Sequence, residues 1–334
     1  MKVAIVGSGL QANRRAKVIK SSDSDSLVGV FSTNKPEAIK FAREMDCKNY
    51  MSFAHMLDSC RADTIIICTP PNSHYDFSTL SLSSGKHVLV EKPFTQTIEQ
   101  SQSLKELSLD SKNIIRCGFN HRFHPSIQAL KLLILTGELG DLKFCRSLYG
   151  TSLREGYENE WRADKSFSAG GQFMEQGSHL VDLMQFILGG TKSIFLKSQN
   201  FILPKIAGED SGIAILTHKT GVVSSITSTL LQWHNRFSIE LFGDSGFAVI
   251  EGLGGSYGVE TLKIGLNLPN QPFTSKVVEF RGLDQSWQKE WDSFKLACLG
   301  EASDCATPSE SDEVMRIIAA GYESAKTNSE VLII

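Results

Sequence analysis

Short apolar runs recur along the first part of the chain, each followed by a stretch with apolar residues at helical spacing. The runs lack clean alternation, which is typical of parallel strands buried on both faces. They are Val3–Val6, Leu27–Phe31, Thr64–Cys68, His87–Val90 and Ile114–Cys117. The helical stretches are Gln11–Lys20, Pro36–Met45, Phe53–Ser59, His74–Ser83 and Ile98–Leu109. This alternation predicts an α/β domain over residues 1–120, with a doubly wound parallel sheet and right-handed crossovers.

After His121 the pattern changes to a helix, Ser126–Thr136, followed by longer strands with alternating apolar residues, which predicts a large, mostly antiparallel sheet. The predicted strands are Phe144–Tyr149, Ser193–Phe201, Ser211–His218, Gly221–Leu230, Phe237–Gly243, Gly246–Glu251, Lys276–Phe280 and Val331–Ile334. The remaining predicted helices are Gly177–Leu188, Trp287–Leu299 and Glu310–Thr327. We therefore expect a second, α+β domain over residues 121–334. Its open sheet has a broad face that needs cover, which predicts a homodimer or homotetramer.

Composition excludes several classes of partner. The chain has 334 residues and a net charge of -3, without blocks of like charge that mark nucleic-acid or membrane-binding tails. Its seven cysteines are scattered and form no Cys-x-x-Cys pair. The first apolar run is too short for a signal peptide, and no run approaches the roughly 20 residues of a membrane span. These features predict a cytoplasmic protein.

A glycine turn follows the first predicted strand and opens the first predicted helix. Its residues are Gly7, Ser8, Gly9, Leu10, Gln11 and Ala12. In a G-x-G-x-x-A turn, the first glycine permits the bend, the second lets the backbone approach a pyrophosphate, and the alanine keeps the helix near the strand. The helix N-terminus supplies amides and positive dipole. The turn predicts a dinucleotide site, although flavin and mononucleotide sites use similar turns.

The end of the second strand indicates which dinucleotide binds. An NAD site commonly places an acid about 20 residues beyond the glycine turn, where it binds the ribose. This chain instead has Ser32, Thr33 and Lys35 there. Without a carboxylate to repel a 2′-phosphate, these residues favour NADP over NAD, unless they are solvated loop residues.

Two further segments follow the predicted strands Thr64–Cys68 and His87–Val90, at the carboxyl edge where open α/β sheets bind ligands. They are Thr69, Pro70, Asn72 and His74 after one strand, and Glu91, Lys92 and Pro93 after the other. With the glycine turn, these segments resemble the signature of the glucose-fructose oxidoreductase/inositol dehydrogenase (Gfo/Idh/MocA) family. In the second domain, residues 169–182 resemble its glycine run, acid and Gly-x-His helix. The resemblance implies an N-terminal Rossmann domain and a C-terminal domain for substrate binding and oligomerisation.

The resemblance also implies roles for particular residues. Lys92 corresponds to the lysine that bonds the reacting hydroxyl and helps to position the nicotinamide, and His179 to the acid/base. Such a pair suits hydride transfer, because histidine exchanges protons near neutral pH and a cation stabilises alkoxide charge. Glu175 stands where the family usually has aspartate, four residues before His179, so on one helix both would face the same way. Its longer side chain leaves open whether it acts in catalysis or binds a sugar hydroxyl.

Other segments similar to the family's cofactor and substrate cleft are Asn120-His121-Arg122 and Trp161-Arg162. We expect cofactor contacts from Asn120, Trp161 and Arg162, beside Thr69, Pro70, Asn72, His74, Glu91 and Lys92. Expected substrate contacts are Lys92, Arg122, Arg154, Tyr157, Glu175 and His179, although residues 154–162 would also suit a surface loop. We predict no metal site, because His121 and His124 have no third ligand nearby and hydride transfer needs no zinc.

These observations predict an NAD(P)-dependent oxidoreductase that moves a hydride between a nicotinamide and a hydroxyl or ketone of a sugar, cyclitol or nucleotide sugar. One alternative is an enzyme that retains its cofactor through a full redox cycle, giving net oxidoreduction, epimerisation or glycoside cleavage. Another is a non-catalytic dinucleotide-binding regulator. The presence of both Lys92 and His179 argues against the regulator, since a pure binding protein needs neither.

Overall fold

The computed structural model describes residues 1–202, 208–267 and 274–333. The first apolar runs form a six-stranded parallel sheet with strand order β3-β2-β1-β4-β5-β6. Its strands are β1 (Lys2–Val6), β2 (Ser26–Phe31), β3 (Lys48–Tyr50), β4 (Thr64–Ile67), β5 (His87–Glu91) and β6 (Ile115–Gly118). The helices between them are α1 (Leu10–Lys20), α2 (Lys35–Met45), α3 (Phe53–Ser59), α4 (His74–Ser83) and α5 (Ile98–Asp110). The predicted doubly wound sheet is confirmed.

The second sheet has nine strands, with order β14-β13-β12-β11-β7-β10-β9-β8-β15. Its strands are β7 (Leu142–Ser152), β8 (Thr191–Gln199), β9 (Ser211–His218), β10 (Val223–Thr229), β11 (Leu231–Gly243), β12 (Gly246–Glu251), β13 (Glu260–Leu266), β14 (Thr274–Phe280) and β15 (Val331–Leu332). The remaining helices are α6 (Pro125–Leu135), α7 (Gln172–Glu175), α8 (Gly177–Leu188), α9 (Ser286–Cys298) and α10 (Pro308–Thr327). All strand pairs are antiparallel except β7 with β10, so the predicted, mostly antiparallel sheet is also confirmed. Ile334, the last residue of the predicted final strand, lies outside the described residues.

The two faces of the second sheet differ. Along β9, the buried residues Ala214 and Leu216 alternate with Ile213 and Ile215, which are 55% and 51% exposed. Helix α8 packs against β7 and β10 on the buried face. The alternation therefore leaves large apolar side chains on the opposite face of the sheet.

The described residues form two compact units, Met1–Phe119 with Trp287–Asp312, and Asn120–Ser286 with Glu313–Ile334. The segment Trp287–Asp312 thus belongs with the first sheet, whereas the boundary predicted near residue 120 places it in the second domain. The amide of Cys117 donates to the carbonyl of Ala306, and the indole of Trp291, which is 1% exposed, donates to Asp25. Trp291 and Phe294 of this segment are buried within the first unit, so the chain returns to that unit after the second sheet.

Among the helices that the structure describes, none combines the length and apolar character needed to cross a bilayer.

Candidate functional site

The turn after β1 is a tight glycine turn that leads directly into α1. Gly7 has φ +106°, and a Cβ there would lie 2.6 Å from the carbonyl oxygen of Cys68, so the position demands glycine. Its amide donates to the carbonyl of Phe31 at 2.8 Å. A Cβ on Gly9 would meet nothing within 4 Å, so the backbone at the start of α1 is open to a ligand. Ala12 is fully buried, which keeps this helix close to its strand.

The residues at the end of β2 lie beside this turn. The hydroxyl of Ser8 donates to the hydroxyl of Ser32 at 3.1 Å, and Ser32 accepts a second hydrogen bond from the amide of Asn34. Thr33 and Lys35 follow with exposed side chains. The structure therefore brings the glycine turn close to the segment that we expect to bind the adenosine ribose. Residues 31–35 carry no carboxylate.

His74 connects the ends of β4 and β5. Its Nδ1 lies 2.7 Å from the carbonyl oxygen of Pro93 and its Nε2 lies 2.8 Å from that of Thr69. The residue is 0% exposed. We expected a cofactor contact from His74, but a ring that is buried between two carbonyls holds the backbone instead. Because His74 contacts the carbonyl of Pro93, it fixes the backbone directly after Lys92. The side chain of Lys92 is half-buried.

Glu91, the residue before Lys92, belongs to a buried ionic triad. Arg15 of α1 donates from Nε to Glu91 at 2.9 Å and also pairs with Glu290 of α9. The exposed fractions of Arg15, Glu91 and Glu290 are 2%, 6% and 0%. Burial opposes the charge of Arg15, yet Glu290 and Glu91 raise its pKa. A Cβ on Gly118 would lie 2.7 Å from the guanidinium, so glycine makes room for it.

Arg15→Met is expected to lower the free energy of unfolding of the first unit by about 3–5 kcal/mol, because it removes a buried cation that pairs with two buried carboxylates. Arg14→Met is the matched control: Arg14 is the exposed neighbour on the same helix, and its loss should cost less than about 0.5 kcal/mol. Denaturant unfolding of both variants measures the difference. Equal midpoints for the two variants would show that the triad contributes no net stability.

In the second unit, His179 stacks on a second histidine. The ring centroids of His179 and His121 are 3.8 Å apart with an interplanar angle of 21°. Both residues are nearly buried, 6% and 7% exposed. Tyr149 of β7 lies against both rings, with its hydroxyl 3.2 Å from His121 Nε2. The sequence analysis did not assign a role to His121 or Tyr149, although the alternation along β7 places Tyr149 on the helix-covered face with Cys145.

Glu175 and His179 do not share one continuous helix, contrary to our expectation. The chain passes from α7 to α8 at Gln176, and the amide of His179 donates to the carbonyl of Gln176. Glu175 is paired instead with Arg162, Nε to Oε1 at 3.1 Å.

Four of the expected site residues form one cluster around Glu175. Arg162 also pairs with Glu160 at 3.3 Å, and Arg154 pairs with the same carboxylate. Tyr157 is 5% exposed beside them, and burial followed by the charge of Glu175 raises its pKa to about 12. Trp161 lies under the Arg162 guanidinium, 4.4 Å from ring centroid to Cζ. This cluster offers charged and aromatic groups suited to a polar ligand, and Glu160 is a member that the sequence analysis missed.

Arg122 is more buried than a substrate contact would be. Its guanidinium binds both carboxylate oxygens of Asp182, with Nε to Oδ2 at 2.9 Å and Nη2 to Oδ1 at 2.7 Å. Arg122 and Asp182 are 1% and 0% exposed. Since Asp182 lies one helical turn after His179, we revise the prediction for Arg122 from substrate contact to a role in fixing α8.

The other conspicuous histidine, His124, has a partner of its own. Its Nδ1 lies 3.0 Å from Glu260, whose second oxygen accepts from the amide of Ser126. Burial would raise the pKa of Glu260, but the hydrogen bond and charge of His124 lower it. Across residues 1–202, 208–267 and 274–333, we find no group of three histidine, cysteine or acidic residues arranged to hold a metal ion.

Two family profiles match the chain, one in its N-terminal part and one in its C-terminal part. Residues 1–119 match the profile of the GFO/IDH/MocA oxidoreductase family with an NAD-binding Rossmann fold. Residues 127–249 match the GFO/IDH/MocA C-terminal domain. The two matches are consecutive, in the family's own domain order.

Curated relatives are about one-quarter identical to the chain over the aligned residues. Glucose-6-phosphate 3-dehydrogenase of Bacillus subtilis is 26% identical over 189 residues, 56% of this chain and 53% of the relative. The scyllo-inositol 2-dehydrogenase (NADP(+)) of the same organism is 25% identical over 195 residues, 58% of this chain and 53% of the relative. The chain thus aligns with about half the length of each.

A solved structure shows the same fold over the whole chain. Levoglucosan dehydrogenase, in complex with NADH and L-sorbose, superimposes with a TM-score of 0.92. The match covers 100% of this chain and 99% of the other at 18% sequence identity. At this identity the comparison establishes the fold alone.

Proposed function

Because the chain belongs to the GFO/IDH/MocA oxidoreductase family, we propose that it is an NAD(P)-dependent dehydrogenase or reductase that acts on a hydroxyl or ketone of a sugar, cyclitol or nucleotide sugar. The observation that carries this proposal is the turn of Gly7 and Gly9 after β1, open at the start of α1 in a chain with both family domains. The named relatives act on sugars or cyclitols.

We assign proton transfer to His179 and charge stabilisation to Lys92. A nicotinamide dinucleotide held at the Gly7–Ala12 turn would take the hydride of a carbinol carbon, and the hydroxyl proton would then need an acceptor. His179 accepts that proton, and the ammonium of Lys92 stabilises the alkoxide charge as it develops. The reduction runs through the same groups in reverse. Arg154, Tyr157, Arg162 and Glu175 supply hydrogen-bonding groups for the rest of the ligand.

The direct test is a screen of sugars, cyclitols and nucleotide sugars, with NAD and NADP, in both directions, followed by nicotinamide absorbance. Turnover of at least one class of polyol supports the proposal. Absence of turnover with every class, by a protein that binds the dinucleotide, would contradict it in favour of a regulator. Cofactor that copurifies and interconverts sugars without net absorbance change would point to the cofactor-retaining alternative.

We further propose that the enzyme accepts NADP, or uses both dinucleotides, because Ser32 occupies the place of the acid that excludes a 2′-phosphate. Ser32→Asp should weaken NADP binding by at least about tenfold and leave NAD binding nearly unchanged, since like charges in contact are costly. Ser32→Ala is the control for loss of the bond to Ser8 and should not discriminate. Fluorescence titration with both cofactors gives the affinities. A native protein that binds NAD about a hundredfold more tightly than NADP would refute this proposal.

We propose a homodimer or homotetramer assembled through the exposed face of the second sheet. Strand pairing places Ile215 in register with Ser225, and Ser225 with Arg146, so these residues share one face. Phe144 of the same strand as Arg146, and Ile213, add exposed apolar area. A second copy presenting the same apolar strands is the occupant that a self-complementary face suits.

Light scattering at micromolar protein is expected to show a dimer or larger species. The double variant Ile213→Lys with Ile215→Lys should shift the population toward monomer, because it places charges at the centre of an apolar interface. Leu132→Lys, at a residue of α6 that is 61% exposed, is the control and should leave the assembly intact. Native protein that remains monomeric would contradict this assembly.

The free thiols of the cysteines support our proposal that the protein resides in the reducing cytoplasm. All seven are free thiols. Burial raises the pKa of Cys47 to about 11 and that of Cys145 to about 12, so these thiols are poorly reactive. Free, unreactive thiols fit a compartment in which disulfides do not form.

A further inference from the structure

The stacked pair of histidines in the second unit has a feature that acid/base chemistry by His179 alone does not require. His121 presents its flat face to His179 at 3.8 Å between ring centroids, nearly parallel. The two residues come from different elements, His121 from the turn before α6 and His179 from α8. A ring stacked in this way limits rotation of its neighbour about the bond to Cβ.

Hydrogen bonds on both edges of the ring fix His121 itself. Asn120 donates from Nδ2 to the hydroxyl of Ser286 at 2.9 Å, which orients its amide and turns Oδ1 toward His121 Nδ1 at 3.2 Å. Because an amide oxygen can only accept, Nδ1 is the donor in this contact. On the opposite edge, Nε2 lies 3.2 Å from the hydroxyl of Tyr149. Partners on both edges hold the ring in one orientation.

Other aromatic residues pack around the stacked pair of histidines. Tyr149 contacts Phe237 and Tyr257 at ring-centroid distances of 5.5 and 5.2 Å. On another side, His124 meets His121 edge to face at 5.6 Å and is anchored by Glu260. His121 thus belongs to a packed and hydrogen-bonded support, with its face toward the residue to which we assign proton transfer.

We propose that His121 is a positioning residue for His179: its stacked ring fixes the plane of the acid/base imidazole. The inference rests on the proposed function and deepens it. Proton transfer requires alignment of the ring nitrogen with the reacting hydroxyl, so a fixed ring plane favours it.

The test uses the complete protein and three variants. His121→Ala removes the stacked face and should lower kcat roughly tenfold to a hundredfold, while KM for the sugar and cofactor affinity change less than about threefold. His121→Phe retains a flat ring of similar size and should restore kcat to within about fivefold of the native value. His218→Asn changes another buried histidine of the same unit, one that bonds Gly189 and Ser224, and serves as the control, with kcat within about threefold. Thermal unfolding establishes that each variant is folded.

A second readout needs no substrate. In protein with isotope-labelled histidine, the ring proton resonances of His179 carry the ring-current shift of a stacked neighbour, which His121→Ala should abolish and His121→Phe retain. Unchanged His179 resonances in His121→Ala, normal kcat in that variant, or a kcat in His121→Phe as low as in His121→Ala would each overturn the proposal. Failure of the native protein to turn over any sugar would instead count against the proposed function, and the resonance test would still decide the stacking.

Discussion

Lys92→Met should reduce kcat roughly a hundredfold or more, because methionine fills the space of the lysine stem but cannot stabilise a developing alkoxide. In our proposal the Gly7–Ala12 turn and the Ser32 segment would hold the other end of the cofactor, so affinity for the reduced dinucleotide should change little. Steady-state kinetics on a working substrate, with fluorescence titration of the reduced cofactor, separates the two effects.

Two controls make the Lys92 result specific. Lys112→Met removes an exposed lysine of the same unit and should leave kcat unchanged. Lys92→Arg retains the cation and should recover part of the lost rate. Loss of cofactor binding in Lys92→Met, in proportion to the loss of rate, would make Lys92 a binding residue and remove it from the chemical step.

His179→Asn should lower kcat by about 10²–10⁴-fold, since asparagine approximates the size of histidine but cannot accept a proton. A base must be unprotonated to accept a proton, so in the oxidation direction kcat of the native enzyme should rise with pH. In reduction the acid must be protonated, so kcat should fall with rising pH. Both limbs should flatten in the variant, which a pH profile in each direction measures.

His218→Asn is the matched control for His179, because His218 is 1% exposed in the same unit and bonds Ser224 of the sheet. It should affect stability and leave the pH profile in place. The double variant Lys92→Met with His179→Asn should lose less than the product of the single losses, because both groups serve one transition state. Near-normal turnover in His179→Asn would remove it as the acid/base.

The sequence predicts the parallel sheet well because buried strands and their helices differ sharply in period. Helices α3 and α4 begin and end at the predicted residues. Strand β3 was missed since Lys48-Asn49-Tyr50 is short and polar, and β13 was missed in a glycine-rich stretch. Strand β11 begins at Leu231, before the predicted Phe237, because its pairing with β7 shifts register between Leu231 and Arg236. Such a bulge interrupts the alternation on which the prediction depends.

The sequence predicts a residue of the candidate site only where that residue belongs to a local motif. The glycine turn, Ser32 and Lys92 follow directly from strand ends, and the structure places Ser8 beside Ser32. Ion pairs between residues that are far apart in the sequence have no such local motif. Arg15 meets Glu91 and Glu290 across 76 and 275 positions of the chain. The pairing of Arg122 with Asp182 spans 60 positions and has no local motif either.

Hydride transfer is the central claim, and isotope transfer tests it most directly. A sugar or cyclitol that turns over should be prepared with deuterium at the carbinol carbon and incubated with the oxidised dinucleotide and the native protein. Mass spectrometry of the recovered cofactor should then show the label at the nicotinamide ring, with slower turnover than for the unlabelled substrate. Oxidised product with the deuterium released to solvent, and none on the cofactor, would contradict the account.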